Sequence, residues 1–406
     1  MKVLVVGSGG REHALAWKLA HAPGLAQLHA APGNPGIAGL GDCHPIRAED
    51  GEGLLGLARS LDADLVLIGP EAPLVAGVAD QLRHAGIAVF GPGQDAARIE
   101  GSKSFAKEIM LAAGVPAAQR LAVARPPCVL KADGLAGGKG VFVCRTTQEV
   151  DVGLRAAAAF GGPLVIEELL EGPEVSVFGL SDGIRVVPLP PVQDFKRIGE
   201  GDSGANTGGM GSISPVPPLA ADDVEDLVDR VHRPVVAELA RRGTPFVGVL
   251  FAGLMLTDGG PRVLEFNCRF GDPETQSLLP RLRGDVLTTL AAAAAGDVSG
   301  ADLAAADEAA VTVVLAADGY PARSDSGTRI YGVPDAEAAG ALVFHAGTAL
   351  HGDRLVTNGG RVLNVTATGA TLAAARERAY AACELISFDG MQYRRDIALA
   401  AASAAG

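Results

Sequence analysis

An α/β chain is expected, with an N-terminal parallel-sheet domain, a two-lobed central unit of α+β type and a small C-terminal α+β domain. Three observations point to it. Short apolar runs alternate with Ala/Leu-rich helical stretches through the first hundred residues, strands come in adjacent pairs after Gly101, and short strands resume beyond an Ala-rich helix near Leu287 to Ala295. Strand and helix in alternation mark βαβ units and hence a parallel sheet. The chain has 406 residues, too many for one ordinary core at about 100 to 200 residues per domain. The expected boundaries are 1–100, 101–300 and 301–406, with a lid lobe over about 118–168.

In the first unit Val3 to Val6, Leu65 to Ile68 and Val89 to Phe90 read as strands, and Glu12 to His21 and Leu74 to Ala85 as helices. Gly69-Pro70 and Gly91-Pro92 close two of these strands. A helix from Ser102 to Ala113 leads into paired strands around Val129 to Lys131 and Val141 to Cys144, joined by a Gly-rich loop. Leu164 to Glu168 is a further strand, Glu171-Gly172-Pro173-Glu174 reads as a hinge between lobes, and a strand from Val175 to Leu180 follows. Asp194 to Pro218 is rich in Gly, Ser, Asn and Pro without periodicity, which reads as a long functional loop. A helix over Asp222 to Arg242 precedes a hairpin of Val247 to Leu256 and Arg262 to Cys268, turning at Thr257-Asp258-Gly259-Gly260. Val311 to Ala316 and Val362 to Thr366 belong to the terminal unit.

The net charge of -13, with no clustered Lys/Arg run, argues against nucleic-acid binding. No apolar run approaches the roughly 18 residues that span a bilayer, and no secretory leader is visible, so a cytoplasmic protein off the membrane is expected. Cys43, Cys128, Cys144, Cys268 and Cys383 lie far apart with no Cys-x-x-Cys pair, which indicates reduced thiols rather than zinc or a disulfide framework.

Four stretches carry candidate chemistry. Along Arg262 to Cys268, side chains alternate faces, so Glu265, Asn267 and Arg269 share one face while Leu264, Phe266 and Cys268 share an apolar one. A carboxylate and a carboxamide two residues apart suit a hard cation such as magnesium that also takes phosphates, although a hydrogen-bonded edge strand gives the same pattern. Arg269 is a candidate partner for a bound carboxylate or phosphate. Lys131-Ala132-Asp133-Gly134-Leu135-Ala136-Gly137-Gly138-Lys139-Gly140 is no Walker A loop, because Gly140 and a strand follow Lys139; a hairpin lid over a triphosphate, helped by Lys103, fits it. The strand edge at Glu167-Glu168-Leu169-Leu170 could read an adenine and Glu174 a ribose, with an acidic surface hairpin as the alternative. Gly7-Ser8-Gly9-Gly10-Arg11-Glu12-His13 joins a strand to a helix start, where phosphate is favoured; Glu12 in place of the third glycine speaks against a dinucleotide and for a sugar phosphate.

The order of these pieces resembles the ATP-grasp superfamily. More closely, Gly9-Gly10-Arg11-Glu12-His13-Ala14, Gly69-Pro70-Glu71-Ala72-Pro73-Leu74, Asn206-Thr207-Gly208-Gly209-Met210-Gly211 and Glu265 through Gln276 resemble the phosphoribosylamine-glycine ligase family from Met1 to about Asp396. The resemblance implies a pre-ATP-grasp N-terminal domain, ATP between two lobes, and magnesium, with manganese as an alternative, on Glu265 and Asn267. It places Lys103, Lys131 and Lys139 on phosphates, with Glu167 nearby, the backbone of Glu168 to Leu170 on adenine and Glu174 on ribose. It implies glycine and 5-phosphoribosylamine as substrates, joined through glycyl phosphate, with the ribosylamine near Gly9, Gly10, Arg11, Gly33, Asn34, Glu71, Lys196, Asn206, Thr207, Gly208 and Gly209. Catalytic roles fall to Lys131, Asp194 and Arg269, in a monomer. The chain departs from the family at Phe195, where a histidine is usual, in shorter stretches from Arg120 to Val129 and after Thr147, and at Gly137-Gly138-Lys139. A carboxylating ATP-grasp enzyme acting on bicarbonate is the nearest rival, and the Asn206 to Gly211 loop discriminates against it.

Overall fold

The computed structural model describes every residue except Ala136, Gly138, Lys139, Pro218, Ala405 and Gly406, and the side chain of Ala404. The all-apolar run Val3 to Val6 lies at the centre of a parallel sheet, because its alternate side chains can bury on both faces. Leu4 and Val6 enter one core, Val3 and Val5 another. The strands β1 (Lys2–Gly7), β2 (Gln27–Pro32), β3 (Asp42–Cys43), β4 (Leu65–Ile68) and β5 (Val89–Phe90) lie in the order β3-β2-β1-β4-β5. The first helix, α1 (Gly10–Ala20), begins earlier than expected, and α2 (Gly51–Ser60) and β2 escape a periodicity reading because they carry glycines or proline. The stretch read as one helix from Leu74 to Ala85 divides into α3 (Glu71–Val75) and α4 (Val78–His84) at Gly77.

Helices α5 (Gln94–Gly101) and α6 (Lys103–Ala112) meet at Ser102, whose hydroxyl accepts from Phe105 N at 3.2 Å and caps α6. Beyond them β6 (Cys128–Ala132), β7 (Val141–Cys144) and β8 (Leu164–Glu168) form a three-stranded sheet with β6 central, covered by α7 (Thr147–Ala158) around Cys128, Leu130, Cys144 and Val150. The cysteines are all free, yet Cys128 and Cys144 face each other across the β6–β7 hairpin, a proximity their sequence separation hides.

An eight-stranded sheet forms the body. It runs from β15 (Gly260–Asn267) through β14 (Val247–Thr257), β9 (Glu174–Asp182), β10 (Val186–Asp194) and β13 (Gly211–Ser214) into the C-terminal strands Ala309–Ala316, Arg361–Gly369 and Leu342–His345. The expected long loop from Asp194 to Pro218 is thereby corrected. It contains the small hairpin of β11 (Arg197–Gly199) and β12 (Ser203–Asn206), then β13. Gly211-Ser212-Ile213-Ser214 has one apolar side chain and little strand propensity of its own; pairing with β10 on one side and Ala309–Ala316 on the other makes it a strand. Because β13 sits between them, the C-terminal strands continue the central sheet.

The helix expected over Asp222 to Arg242 is interrupted. A π turn at Val228–His232 separates α8 (Ala221–Leu227) from α9 (Arg233–Arg241), where Pro234 lacks the N–H that a regular turn needs. No helix among the described residues is long and apolar enough to cross a membrane.

Candidate functional site

Glu265 stands opposite Gly253 and Asn267 opposite Phe251, but Leu254 pairs with Val263, so Leu264 is the extra residue of a β-bulge. The bulge corrects the expected face: Val263 and Phe266 fill the core, while Leu264 is only half-buried. It also turns the Leu264 carbonyl outward, where Lys131 Nζ donates to it at 2.7 Å. Glu265 and Asn267 retain their common face. β15 ends at Asn267, so Arg269 does not extend that row as expected; it lies past the strand, in a bend.

Lys131 Nζ lies 2.8 Å from Glu167 Oε2, and Lys107 Nζ lies 2.7 Å from Glu167 Oε1. Glu167 is therefore a buried bridge from β8 to α6, and no sequence pattern singles out its second partner, Lys107. The Glu168 carboxylate turns to Arg262 at 2.8 Å and accepts from Gln119 N at 2.7 Å, and the Glu168 amide donates to the Gln119 carbonyl at 3.0 Å. Lys103 opens α6; its amide donates to Asp133 Oδ1 at 2.6 Å and its Nζ to the Gly134 carbonyl at 2.9 Å. Burial pulls the Lys103 ammonium below its ordinary range. Lys139, expected on the triphosphate, lies outside the described residues.

Beside Glu265 a second charged group forms around Lys196, which pairs with Glu174 and stands 3.7 Å from Glu265. Burial would lower Lys196, but Glu174, Asp194 and Glu265 outweigh it and raise it well above its usual value. Asp194 is pushed the other way: burial, with Glu274, Glu174 and Glu265 as like charges, raises it against the pull of Lys196. Its Oδ1 is buried without a hydrogen-bond partner. Phe195 points away from this group into the C-terminal core, with the Arg394 guanidinium 5.3 Å from its ring centre.

The N-terminal loop is closed by its own glutamate. Gly9 N donates to Glu12 Oε2 at 2.6 Å, and a Cβ at Gly69 would lie 2.1 Å from Glu12 Oε1. Glu12 thus fills the space that a dinucleotide fingerprint keeps open. Asn34 is a strap: its amide donates to the carbonyls of Ser8 at 2.8 Å and His345 at 2.9 Å, and its oxygen accepts from Ile37 N. Gly33 sits against Cys43, and Gly10 against the amides of Gln276 and Asn364. Arg11 donates to the Phe270 carbonyl at 3.1 Å and lies 4.0 Å from Glu71, which reaches Arg269 at 3.3 Å.

The Asn206 to Gly211 segment joins the same place. Thr207 donates to the Lys196 carbonyl at 2.8 Å and accepts from Gly209 N at 2.9 Å, and Asn206 ends β12 opposite Arg197. Gly209 has φ +108, and a Cβ there would lie 2.3 Å from Pro273 Cδ, so glycine alone lets the two segments touch. From the C-terminal unit Tyr320 OH accepts from Gly208 N at 3.0 Å, while Arg361 donates to the carbonyls of Gly208 and Asp272. Neither residue sits in a motif, so nothing in the sequence singled them out.

The donor set fits magnesium. Glu265 offers a carboxylate too far from Lys196 for a hydrogen bond, Asn267 offers a carboxamide oxygen from the next position on the same face, and both are half-buried. Among the described residues no three His, Cys, Asp or Glu side chains are arranged to hold a metal alone; magnesium keeps water and phosphate oxygens beside one or two protein ligands.

A three-stranded lobe tied through Lys131 to the edge strand of a large sheet, where that strand bears a carboxylate and a carboxamide, is the arrangement of the ATP-grasp class. Residues 1–100, 101–275 and 310–400 match the N domain, the ATP-grasp (A) domain and the C domain of phosphoribosylglycinamide synthetase, so the chain belongs to that family. It is 51% identical over 420 residues to the phosphoribosylamine–glycine ligase of Streptomyces coelicolor, covering 100% of both chains. It is 49% identical to that of Rhizobium meliloti, over 98% of each. The crystal structure of the Thermotoga maritima phosphoribosylamine–glycine ligase superposes with a TM-score of 0.86 at 35% identity, over 98% of this chain and 100% of that one. The biotin carboxylase domain of the Hydrogenobacter thermophilus 2-oxoglutarate carboxylase, at 20% identity and a TM-score of 0.72 over 96% of this chain and 91% of that one, shares the fold.

Proposed function

We propose that this chain ligates glycine to 5-phosphoribosylamine at the expense of ATP, giving glycinamide ribonucleotide, ADP and phosphate in purine biosynthesis. The observation that carries it is convergence: the Gly9-Gly10 loop, the Asn206 to Gly211 segment and the Glu265–Asn267 strand meet across Glu71, Arg269 and Asp272, in a chain about half identical throughout to ligases of that name. ATP is a substrate, and Glu265 and Asn267 would hold magnesium, or manganese, which oxygen ligands also suit, whose charge would neutralise the transferring phosphoryl group.

Glycine's carboxylate oxygen attacks the γ-phosphorus and ADP leaves, which turns a poor electrophile into glycyl phosphate. Lys103 and Lys131 neutralise the phosphates, and the backbone from Glu168 to Leu170 takes adenine. Glu174 accepts from the ribose hydroxyls, in competition with Lys196. The ribosylamine nitrogen then attacks the glycyl carbonyl carbon, phosphate leaves, and the proton shed by nitrogen passes to Asp194 Oδ1, a buried acceptor with a raised proton affinity. Arg11, the Gly9-Gly10 amides, Gly33 and the Asn206 to Gly209 backbone line the ribosylamine side, with Asn34 holding the loops around it. The three units act as domains 1–100, 101–300 and 301–406 of a cytoplasmic monomer.

ADP release should require both glycine and freshly made phosphoribosylamine. ADP release driven by bicarbonate instead, or AMP as product, would sink the proposal.

A further inference from the structure

Arg269 leaves the metal strand with a single charge and meets two carboxylates. Glu71 Oε2 lies 3.3 Å from its Nε, and Glu100 Oε1 lies 2.9 Å from its Nη2. The two partners differ in kind. The Glu71 side chain is 29% exposed and also faces Arg11, whereas that of Glu100 is 9% exposed. The second oxygen of Glu100 accepts from the Cys268 amide at 2.8 Å. Glu100 stands in the last turn of α5, directly before the α5–α6 junction that presents Lys103, and so reaches the metal strand from outside it. Both its oxygens are committed to the two residues that follow Asn267.

We propose that Glu100 is a positioning residue for the ligase reaction proposed above: it fixes the chain just past Asn267 and holds the Arg269 guanidinium toward the substrate side. A structural tie alone would not need a charge. A neutral amide oxygen still accepts from the Cys268 N–H, if more weakly than a carboxylate, while the guanidinium requires the anion to stay in place, since a buried cation stripped of one partner reorients or repels its surroundings. Sites that organise phosphoryl and acyl transfer lose rate when their groups stray by fractions of an ångström.

The test is a double-mutant cycle in the ADP assay, with wild type, E100Q, R269A and the double variant. E100Q should melt within a few degrees of wild type, keep its KM for ATP, glycine and phosphoribosylamine within about threefold, and lose kcat by about tenfold or more. The double variant should be no slower than R269A, because both changes act through one guanidinium. Unchanged kcat in E100Q overturns the assignment. Losses that multiply in the double variant also overturn it, and this arm decides the matter even if E100Q melts early. A wild type that releases no ADP with both substrates overturns the ligase activity itself, an outcome distinct from either failure of the variants.

Discussion

Burial alone would raise the Glu265 carboxyl, yet Lys196, Lys131, Lys103 and Arg269 outweigh it and hold the group ionised below its ordinary range. A carboxylate kept charged among four cations is ready for a metal without first losing a proton. Glu265→Gln keeps the size and the strand pairing but removes the anion, so turnover should fall on the order of 100-fold. The melting curve without ligand should stay where it is, because the side chain is half-exposed and its cation contacts are screened. Near-normal activity would remove Glu265 from the metal site. Period-two spacing made the shared face of Glu265 and Asn267 legible in the sequence, since that geometry is local. Glu100, Lys107, Tyr320 and Arg361 were not, because each acts on a partner distant in sequence and none belongs to a pattern.

Among elements, the β6–β7 hairpin is moored by a carboxylate. Asp133, just past β6, accepts from Lys103 N at 2.6 Å, Gly134 N at 3.0 Å and the Ser102 hydroxyl at 3.2 Å, and so sits on the open amides at the start of α6. Burial would raise its carboxyl, but bonds from the Ser104 side chain and from the amides of Lys103, Gly134 and Ser104 outweigh it and keep the group below the ordinary value. One contact thus fixes the root of the loop and sets the position of Lys103. Asp133→Ala should cost about 1 kcal/mol, as the loss of a helix cap does, and should raise the KM for ATP several-fold while the KM for glycine holds. Equal changes in both constants would show that the contact only stabilises the fold. Elements with a distinctive run or turn, such as the apolar run of β1 and the β14–β15 hairpin around its Asp-Gly turn, were readable in advance. The π turn at Val228–His232, the bulge at Leu264 and the strand β13 were not: each is imposed by a neighbour or by one missing N–H, not by side-chain alternation.

Across the whole molecule, the first and third units are stitched by uncharged histidine. His13 Nδ1 accepts from the His345 amide at 2.8 Å, and the His13 ring meets Phe344 edge-on at 5.5 Å. Burial, with a small push from His345, lowers His13 to about 3. The unfolded chain takes a proton on this ring near the ordinary value of 6.5, while the folded chain takes none until far below it. Stability from this group is therefore complete above pH 6.5, falls as pH drops, and is exhausted near pH 3, at about 1.4 kcal/mol per pH unit. A glutamine at the same place still accepts from the His345 N–H but cannot titrate. Between pH 7 and pH 5 the wild type should thus lose about 2 kcal/mol more than His13→Gln. Carboxyls raised by burial, such as Asp194 and Glu100, oppose this trend equally in both proteins and cancel in the comparison. Urea unfolding of the two proteins at both pH values measures the difference directly. Parallel losses would mean that the folded ring is already protonated at pH 5, which its bond to the His345 amide forbids, since a protonated Nδ1 cannot accept.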